Sequence, residues 1–400
     1  MTESTTSIDW QKKLAARTHG LYGSMTRKLM SVLNDPEIIS FGGGLPAWDL
    51  FPLDEIRQVA DELLRTDGPL TLQYSTSEGF LPLREEVAKR YRARGLDVTV
   101  DHVLIDTGTM QGIDLLGKLF LEEGDQVVLG DPTFLTALQS FTLYQAGFLP
   151  VALDDDGMKV DRLPAILEAH EVKFLYVMPT FQNPTGRSLS LERRKQLLEI
   201  AGRYGVPVVE DDAYGEIRLG GDPLPTLKEL DTQDSVIYLS SFSKTLSPGL
   251  RVGFILAPAA IMEKLVFAKQ TADLHTSLLP QRMVHEFLRR DWLDPHIRVL
   301  VKSYRKRRNA MLDAMAEHFP PGVSWSRPEG GLFCWVSLPE HMDADAMLDA
   351  ALAEKVMYVP GSCYFAGGGG TNCMRLNYSA YTEERIRVGI ERLDRVIERT

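Results

Sequence analysis

Strand and helix patterns alternate along the middle of the chain, from about residue 100 to residue 260. Short apolar runs rich in β-branched residues, each a candidate strand, are separated by segments with helical spacing. The runs cover residues 103–105, 126–129, 174–177, 206–210, 236–239 and 252–256. Helices are predicted at 53–64, 82–94, 111–121, 132–143 and 191–204. Because repeated βα units feed a mostly parallel sheet, the sequence predicts an α/β fold for this part of the chain.

The pattern changes from about residue 290 onward. Long charged helices are predicted at 304–318 and 383–398, around strand-like pieces such as 331–336. This change predicts a second, smaller α+β domain. At 400 residues and 44% hydrophobic content, the chain can bury a large core and is expected to form two domains.

Composition excludes several classes of partner. A formal charge of −11 argues against nucleic-acid binding or an anionic membrane surface, since either would favour a basic face. The first ten residues lack the basic and apolar regions of a signal peptide, and no apolar run approaches membrane-spanning length. Three cysteines, Cys334, Cys363 and Cys373, fit neither a disulfide framework nor a zinc pattern. We therefore expect a cytoplasmic protein.

Polar clusters follow several of the predicted strands. They are Thr107-Gly108-Thr109, Asn183-Pro184-Thr185-Gly186, Asp211-Asp212-Ala213-Tyr214 and the serine-rich stretch before Lys244. Ligands of parallel sheets bind beyond the carboxyl ends of the strands, so these clusters predict one shared site. Each also has a structural reading: the threonine can cap a helix, Asn-Pro can mark a turn, and paired aspartates can cap a helix or bind a metal. The absence of nearby histidine makes a metal improbable.

Lys244 lies just past the strand predicted at 236–239. A partly desolvated lysine has a lowered pKa and becomes a nucleophilic amine, which can form a Schiff base with an aldehyde cofactor. Ser241, Ser243 and Arg251 supply hydroxyls and a guanidinium fork of the kind that holds a phosphate.

The segment Ser-Lys-x-x-x-Pro-Gly-x-Arg-x-Gly at 243–253 resembles the pyridoxal-phosphate lysine signature of class I aminotransferases. It is most similar to the branch with 2-aminoadipate and kynurenine aminotransferases. The resemblance implies fold type I, pyridoxal 5'-phosphate as cofactor, and a homodimer. It also implies an N-terminal arm and lid at 1–48 that contributes to the small domain, a large cofactor-binding domain at 49–290 and a small C-terminal domain at 291–400.

The resemblance assigns cofactor contacts residue by residue. Lys244 joins the cofactor and moves the α-proton, Asp211 keeps the pyridine nitrogen protonated, and Tyr214 and Asn183 bond the phenolic oxygen. Further cofactor contacts are implied for Gly108, Thr109 and Met110 at the phosphate, for Phe134 stacked on the ring, and for Tyr74, which reaches the partner subunit's phosphate. Phe134 stands where many relatives carry tyrosine, and Met110 where close relatives often carry glutamine.

The resemblance also implies a substrate site. Arg375, a lone arginine in an apolar strand-like piece, would clamp the substrate α-carboxylate, with Asn183 beside it. Gly44 and Leu45 belong to a glycine-rich segment that lies beside the substrate. Arg27 falls on an N-terminal helical pattern that the 2-aminoadipate branch uses as a lid, where an arginine can pair with a distal carboxylate. A solvated surface charge is the simpler reading of Arg27.

These observations predict ping-pong transamination between an L-amino acid, with 2-aminoadipate and glutamate favoured, and a 2-oxo acid such as 2-oxoglutarate. A branched-chain or aromatic aminotransferase is the alternative within the same class. From another class, relatives serve as effector-binding domains of transcription regulators. Those carry an N-terminal helix-turn-helix extension, whereas only some forty residues precede the core motifs here, a segment too short and too acidic for that extension.

Overall fold

The computed structural model describes residues 8–18 and 35–400. Its strands, in chain order, are β1 (Ile39–Ser40), β2 (Val103–Asp106), β3 (Gln126–Asp131), β4 (Gly147–Asp154), β5 (Gly157–Met158), β6 (Val172–Val177), β7 (Val208–Asp211), β8 (Val236–Ser241), β9 (Gly253–Leu256), β10 (Ser324–Trp325), β11 (Phe333–Ser337), β12 (Val356–Met357), β13 (Val359–Pro360) and β14 (Cys373–Asn377).

Eight of these strands form the large sheet, in the order β2-β9-β8-β7-β6-β3-β4-β5. Neighbouring strands from β4 through β3, β6 and β7 to β8 are parallel, whereas β9 runs antiparallel to both β2 and β8. The predicted mostly parallel sheet is confirmed. The carboxyl ends of β2, β3, β6, β7 and β8 consequently share one edge, called here the carboxyl edge.

Helices cover the sheets. In chain order they are α1 (Leu53–Thr71), α2 (Leu81–Arg92), α3 (Thr109–Phe120), α4 (Leu135–Leu143), α5 (Leu163–Ala169), α6 (Leu191–Tyr204), α7 (Leu227–Leu230), α8 (Ala259–Asp273), α9 (Leu278–Arg289), α10 (Leu293–His318), α11 (Leu348–Ala353) and α12 (Glu383–Glu398). Local chemistry fixes several ends: Ser190 caps α6, Gly205 ends it in the left-handed conformation, and Thr382 caps α12. Both α6 and α12 have the bounds that the sequence predicts.

Other helices differ from the prediction at their ends. The helix predicted from residue 304 is the second half of α10, which begins at Leu293. The helix predicted at 53–64 continues as α1 to Thr71, with a break at Asp67 just before Gly68 and Pro69. The helix predicted from residue 132 begins only at Leu135, because the backbone of Phe134 is extended, with φ of −63° and ψ of 114°. The backbone N–H of Thr133 donates to the carbonyl of Tyr364.

Two strands at one edge of the large sheet, β4 and β5, were not predicted. Gly147 and Pro150 interrupt the apolar pattern of β4. Proline is tolerated near sheet edges, where a missing N–H costs little, and β5 pairs with only two residues of β4. A short, interrupted edge strand leaves a weak sequence signal.

The last hundred residues contain a second sheet, with antiparallel order β10-β11-β14-β13. The strands β1 and β12 form a separate parallel pair, which fastens the segment before residue 42 to this part of the chain. The α+β character of this region agrees with the sequence, while the division at 1–48, 49–290 and 291–400 stays a prediction. Within residues 8–18 and 35–400, no helix is long and apolar enough to cross a membrane.

Candidate active site

A cavity of about 270 Å³ lies between the carboxyl edge of the large sheet and the second sheet. Thirteen of the predicted site residues line it: Gly44, Leu45, Thr109, Met110, Phe134, Asn183, Asp211, Tyr214, Ser241, Ser243, Lys244, Arg251 and Arg375. These residues come from distant parts of the sequence, and the fold brings them to one place.

Lys244 lies three residues beyond the end of β8, and its side chain lines the cavity. Nζ donates a hydrogen bond of 2.8 Å to the carbonyl of Gly44. Burial lowers the pKa of Lys244 to about 8, and the positive charges of Arg375 and Arg251 act in the same direction. About a tenth of the amine is therefore neutral at pH 7, far more than for an ordinary lysine, and the neutral form is the one that a nucleophile or a proton acceptor requires.

Asp211 is the last residue of β7 and is only 1% exposed. Its Oδ2 accepts a hydrogen bond of 2.7 Å from the hydroxyl of Tyr176, while its buried Oδ1 has no partner among the described residues. Burial raises the pKa of Asp211 to about 7, and the bond from Tyr176 opposes that shift. A buried acceptor without a donor is costly, so Oδ1 calls for a donor that a ligand would bring.

The phosphate end of the predicted site is built around Gly108 and Arg251. Gly108 has φ of +91°, and a side chain there would place its Cβ 2.7 Å from Nη2 of Arg251. Arg251 donates to the carbonyl of Thr107 at 2.8 Å and lies 3.5 Å from the hydroxyl of Ser243. Behind this turn, the backbone N–H of Gly108 donates to Oδ1 of buried Asp106 at 2.9 Å. Glycine is thus needed for the close approach of backbone and guanidinium.

The cavity residues fit pyridoxal 5'-phosphate. A helix N-terminus at Thr109, two serine hydroxyls and Arg251 make an anion site at one end. At Asp211, the unpartnered Oδ1 suits a protonated ring nitrogen. Between them, the amine of Lys244 suits an aldehyde. Phe134 lines the cavity next to α4 and offers a ring face for stacking.

Arg375 lies in the middle of β14 and is 6% exposed. Its Nη1 donates to Oδ1 of Asn183 at 2.9 Å, and its Nη2 donates to the carbonyl of Gly42. The rings of Phe333 and Tyr364 lie 4.2 and 5.3 Å from the guanidinium carbon. These two aromatic rings hold the plane of the guanidinium, which is the arrangement that a bidentate carboxylate clamp needs.

The glycine-rich segment at 42–45 is held against the end of β14. Asn377 donates through Nδ2 to the carbonyl of Gly43, and the hydroxyl of Ser379 donates to the carbonyl of Leu45 at 2.8 Å. The segment is therefore a fixed wall of the cavity, and its backbone reaches both Lys244 and Arg375.

Of the three remaining predicted residues, two are described and neither lines the cavity. Gly108 borders the cavity through its turn against Arg251. Tyr74 is 78% exposed, packs edge-on against His275 at a centroid distance of 5.8 Å and does not line the cavity of its own chain. Arg27 lies outside the described residues, so its placement stays a prediction.

Several residues of the site were not predicted from the sequence. Phe333 and Tyr364 line the cavity, and Tyr176 and Asp106 support it from behind. One signal was available for Tyr176: a tyrosine inside a buried apolar strand needs a partner for its hydroxyl. No comparable signal marks Phe333 or Tyr364, which come from loops and strands remote from every motif.

Comparisons with known proteins agree with this geometry. The sequence model of the family described as Aminotransferase class I and II matches residues 36–393. The chain is 41% identical over 399 residues to aromatic-amino-acid aminotransferase 1 of Thermococcus litoralis, covering 98% of this chain and 95% of that protein.

Two solved structures are similar over 98% of both chains. One is α-aminoadipate aminotransferase from Thermus thermophilus, complexed with N-(5'-phosphopyridoxyl)-L-leucine, with a TM-score of 0.92 and 41% identity. The other is kynurenine aminotransferase from Pyrococcus horikoshii in complex with PMP, with a TM-score of 0.93 and 40% identity.

Proposed function

The chain belongs to the class I and II aminotransferases, with the fold of the type I pyridoxal-phosphate enzymes, and from this premise we propose its substrates and mechanism. It transfers an amino group from an L-amino acid, with 2-aminoadipate and glutamate favoured within a broad range, to a 2-oxo acid such as 2-oxoglutarate. The two half-reactions alternate in a ping-pong scheme.

One observation supports this proposal most directly. The amine of Lys244 and the guanidinium of Arg375 donate to two carbonyls of the same fixed segment, those of Gly44 and Gly42. A substrate whose α-carboxylate replaces the present partners of Arg375 therefore has its α-carbon on the side of the cavity where Lys244 lies. An α-amino acid has that spacing of groups.

Pyridoxal 5'-phosphate, when bound, would accept the electron pair that stays on the substrate α-carbon after its proton is removed. The chain's own residues do the rest. Nζ of Lys244 takes the proton from the α-carbon and returns one in the reverse half-reaction. Arg375 orients the α-carboxylate, and Asp211 would supply the negative charge that keeps the ring nitrogen of the cofactor protonated.

Substrate preference is proposed to depend on Arg27. An arginine over the cavity would pair with the distal carboxylate of 2-aminoadipate and leave apolar substrates unpaired. In an Arg27→Ala variant, kcat/KM for 2-aminoadipate should fall about tenfold, since a charge-assisted hydrogen bond contributes about 1.5 kcal/mol, while kcat/KM for leucine stays constant. Equal changes for both substrates would contradict the role of Arg27.

The described cavity lining favours a second candidate, an aromatic or branched-chain donor. Its side chains beyond the polar set are largely apolar, and they include Leu45, Met110, Leu135, Met178 and Val359. Such a lining accepts phenylalanine or leucine by burying apolar surface. A kcat/KM for phenylalanine above that for 2-aminoadipate in the unaltered protein would favour this candidate.

A homodimer in which Tyr74 completes the partner subunit's phosphate site is also proposed. Tyr74 is exposed and does not line the cavity of its own chain, as such a role requires. Mixing a Tyr74→Ala variant with a Lys244→Ala variant tests it: subunit exchange should create one intact site per mixed dimer and restore activity that neither variant has alone. No restoration after proven exchange would contradict the role in trans.

An effector-binding protein without turnover is the alternative from another class. Such a protein would bind pyridoxal phosphate and an amino acid but release no oxo acid. Oxo-acid release from 2-aminoadipate, leucine and phenylalanine separates an enzyme from an effector-binding protein, because an enzyme must produce one oxo acid for each amino group that it takes.

A further inference from the structure

Two adjacent carboxylates at the end of β7 have the same pattern of hydrogen bonds but face different parts of the molecule. Asp211 accepts a hydrogen bond from Tyr176 and Asp212 accepts one from Tyr238, each at 2.7 Å. Both tyrosines are buried, at 0% and 1% exposure, and both aspartates carry an Oδ1 without a partner among the described residues. Only Asp211 lines the active-site cavity.

The surroundings of Asp212 are structural. The hydroxyl of Tyr238 lies 2.9 Å from that of Tyr91 on α2, so this chain of hydrogen bonds runs away from the cavity into the helical layer. Arg94 and Arg194 favour the charged form of Asp212 from that side. For Asp211, the hydrogen bond from Tyr176 is the largest influence that lowers the pKa, and it thereby favours the charged carboxylate.

We propose that Tyr176 is a positioning residue for the reaction: its hydroxyl fixes the Asp211 carboxyl and keeps it charged, which leaves Oδ1 to the ring nitrogen of the cofactor. The proposal rests on the role given above to Asp211. Tyr176 is itself fixed in β6, and its ring packs edge-on against Phe141 at 5.7 Å. The Tyr176 hydroxyl therefore keeps its position if the Asp211 carboxyl rotates, so the hydrogen bond favours one orientation of that carboxyl.

The consequence for charge follows from the groups that face Asp211. Asp212, Tyr214 and Asp106 are acidic groups within its electrostatic reach, while the Tyr176 hydroxyl donates to it and the backbone N–H of Ala213 favours its charge to a smaller extent. Removing the Tyr176 hydroxyl leaves burial and the Asp212 charge unopposed on that side. The pKa of Asp211 then rises further, and a proton shared with the ring nitrogen moves toward the carboxyl, so that the ring becomes a poorer electron sink.

The test compares Tyr176→Phe with Tyr238→Phe as a matched control, because each variant removes one hydroxyl of a buried strand tyrosine from a buried aspartate. Three quantities are measured: the melting temperature of the cofactor-free proteins, the Kd for pyridoxal phosphate by near-visible titration, and the pH dependence of the single-turnover rate with saturating amino donor. We expect similar losses of melting temperature in both variants.

The expected contrast lies in the other two quantities. Tyr176→Phe should raise the Kd about tenfold, lower the single-turnover rate by a similar factor and move its acid limb to higher pH, as loss of a hydrogen bond to a charged group predicts. Tyr238→Phe should change each by less than about twofold. Equal effects of the two variants on the Kd and the acid limb would overturn the proposal.

Failure of the proposed function would look different. If the unaltered protein binds pyridoxal phosphate but forms no oxo acid from any amino donor, transamination is wrong, and the Kd contrast between the two variants still decides the role of Tyr176. If the unaltered protein transaminates and Tyr176→Phe behaves like Tyr238→Phe, only the inference about Tyr176 is wrong.

Discussion

The two walls of the cavity are built in different ways. On the wall formed by the large sheet, Asp211 and Ser241 are the last residues of neighbouring strands, and Lys244 lies three residues after Ser241. The opposite wall combines the segment at 42–45 with Arg375, Phe333 and Tyr364 from the second sheet and its loops. The first wall has the groups that fit cofactor chemistry and is called here the cofactor wall. The second has those that fit recognition of an amino acid and is called the recognition wall.

The largest effect is expected on the cofactor wall, from Lys244→Ala. Without the amine no group in the described cavity can move the α-proton in its place, so the rate should fall by about 10³-fold or more. The rate of oxo-acid formation checks this, with Lys195→Ala, an exposed lysine, as control. A Lys244→Ala variant that keeps a tenth of the activity would remove the chemical role from this wall.

The recognition wall is tested by Arg375→Lys. Lysine keeps the charge but loses the planar fork, so KM for the amino donor should rise about 10- to 100-fold while the Kd for pyridoxal phosphate stays constant. Arg194→Lys, which alters a buried arginine outside the cavity, controls for loss of stability. A weakened cofactor affinity in Arg375→Lys would show that the two walls do not divide the work.

The charge state of Lys244 offers a pH test confined to the cofactor wall. The neutral amine is the nucleophile, and the pKa of Lys244 is lowered to about 8 from 10.5, so the neutral fraction rises about tenfold per pH unit below 8 and levels off above it. The rate at which cofactor-free protein captures pyridoxal phosphate should follow that curve. A break near pH 10 instead would mean that burial does not lower the pKa.

The smallest effect is expected from Tyr364→Leu on the recognition wall. The change removes one ring beside the Arg375 guanidinium, a contact that contributes about 1 kcal/mol, so KM should rise about fivefold with little change in kcat. Tyr358→Leu, at a buried tyrosine that donates to the carbonyl of Ala344, is the control in the same region. An unchanged KM would show that Phe333 alone holds the guanidinium.

The cofactor wall was predictable from the sequence because its residues end or closely follow apolar strands, and parallel strands end at one edge. Asp211, Asn183, Ser241 and Lys244 could all be placed by that rule. Their supports could not. Tyr176 lies inside an apolar strand and Asp106 ends one, and neither side chain gives a local sign of the residue that it bonds.

The recognition wall was harder to predict because its parts pair across long separations. Arg375 was expected there from an unusual residue in an apolar strand, and Gly44 and Leu45 from the family resemblance, while Phe333 and Tyr364 resemble ordinary core residues in the sequence. The hydrogen bond from Arg375 to Asn183 spans 192 positions in sequence. No local pattern carries such information, and Arg27, which falls outside the described residues, remains a prediction.

The central claim, that one chain takes an amino group before any acceptor is present, can be measured directly. Protein loaded with pyridoxal phosphate is mixed with excess 2-aminoadipate and no oxo acid, and the released 2-oxo acid is counted against protein. The account predicts one equivalent per chain, with loss of the near-visible absorbance in step, and further product only after 2-oxoglutarate is added. No product until 2-oxoglutarate is present, or continued product without it, would contradict ping-pong transamination.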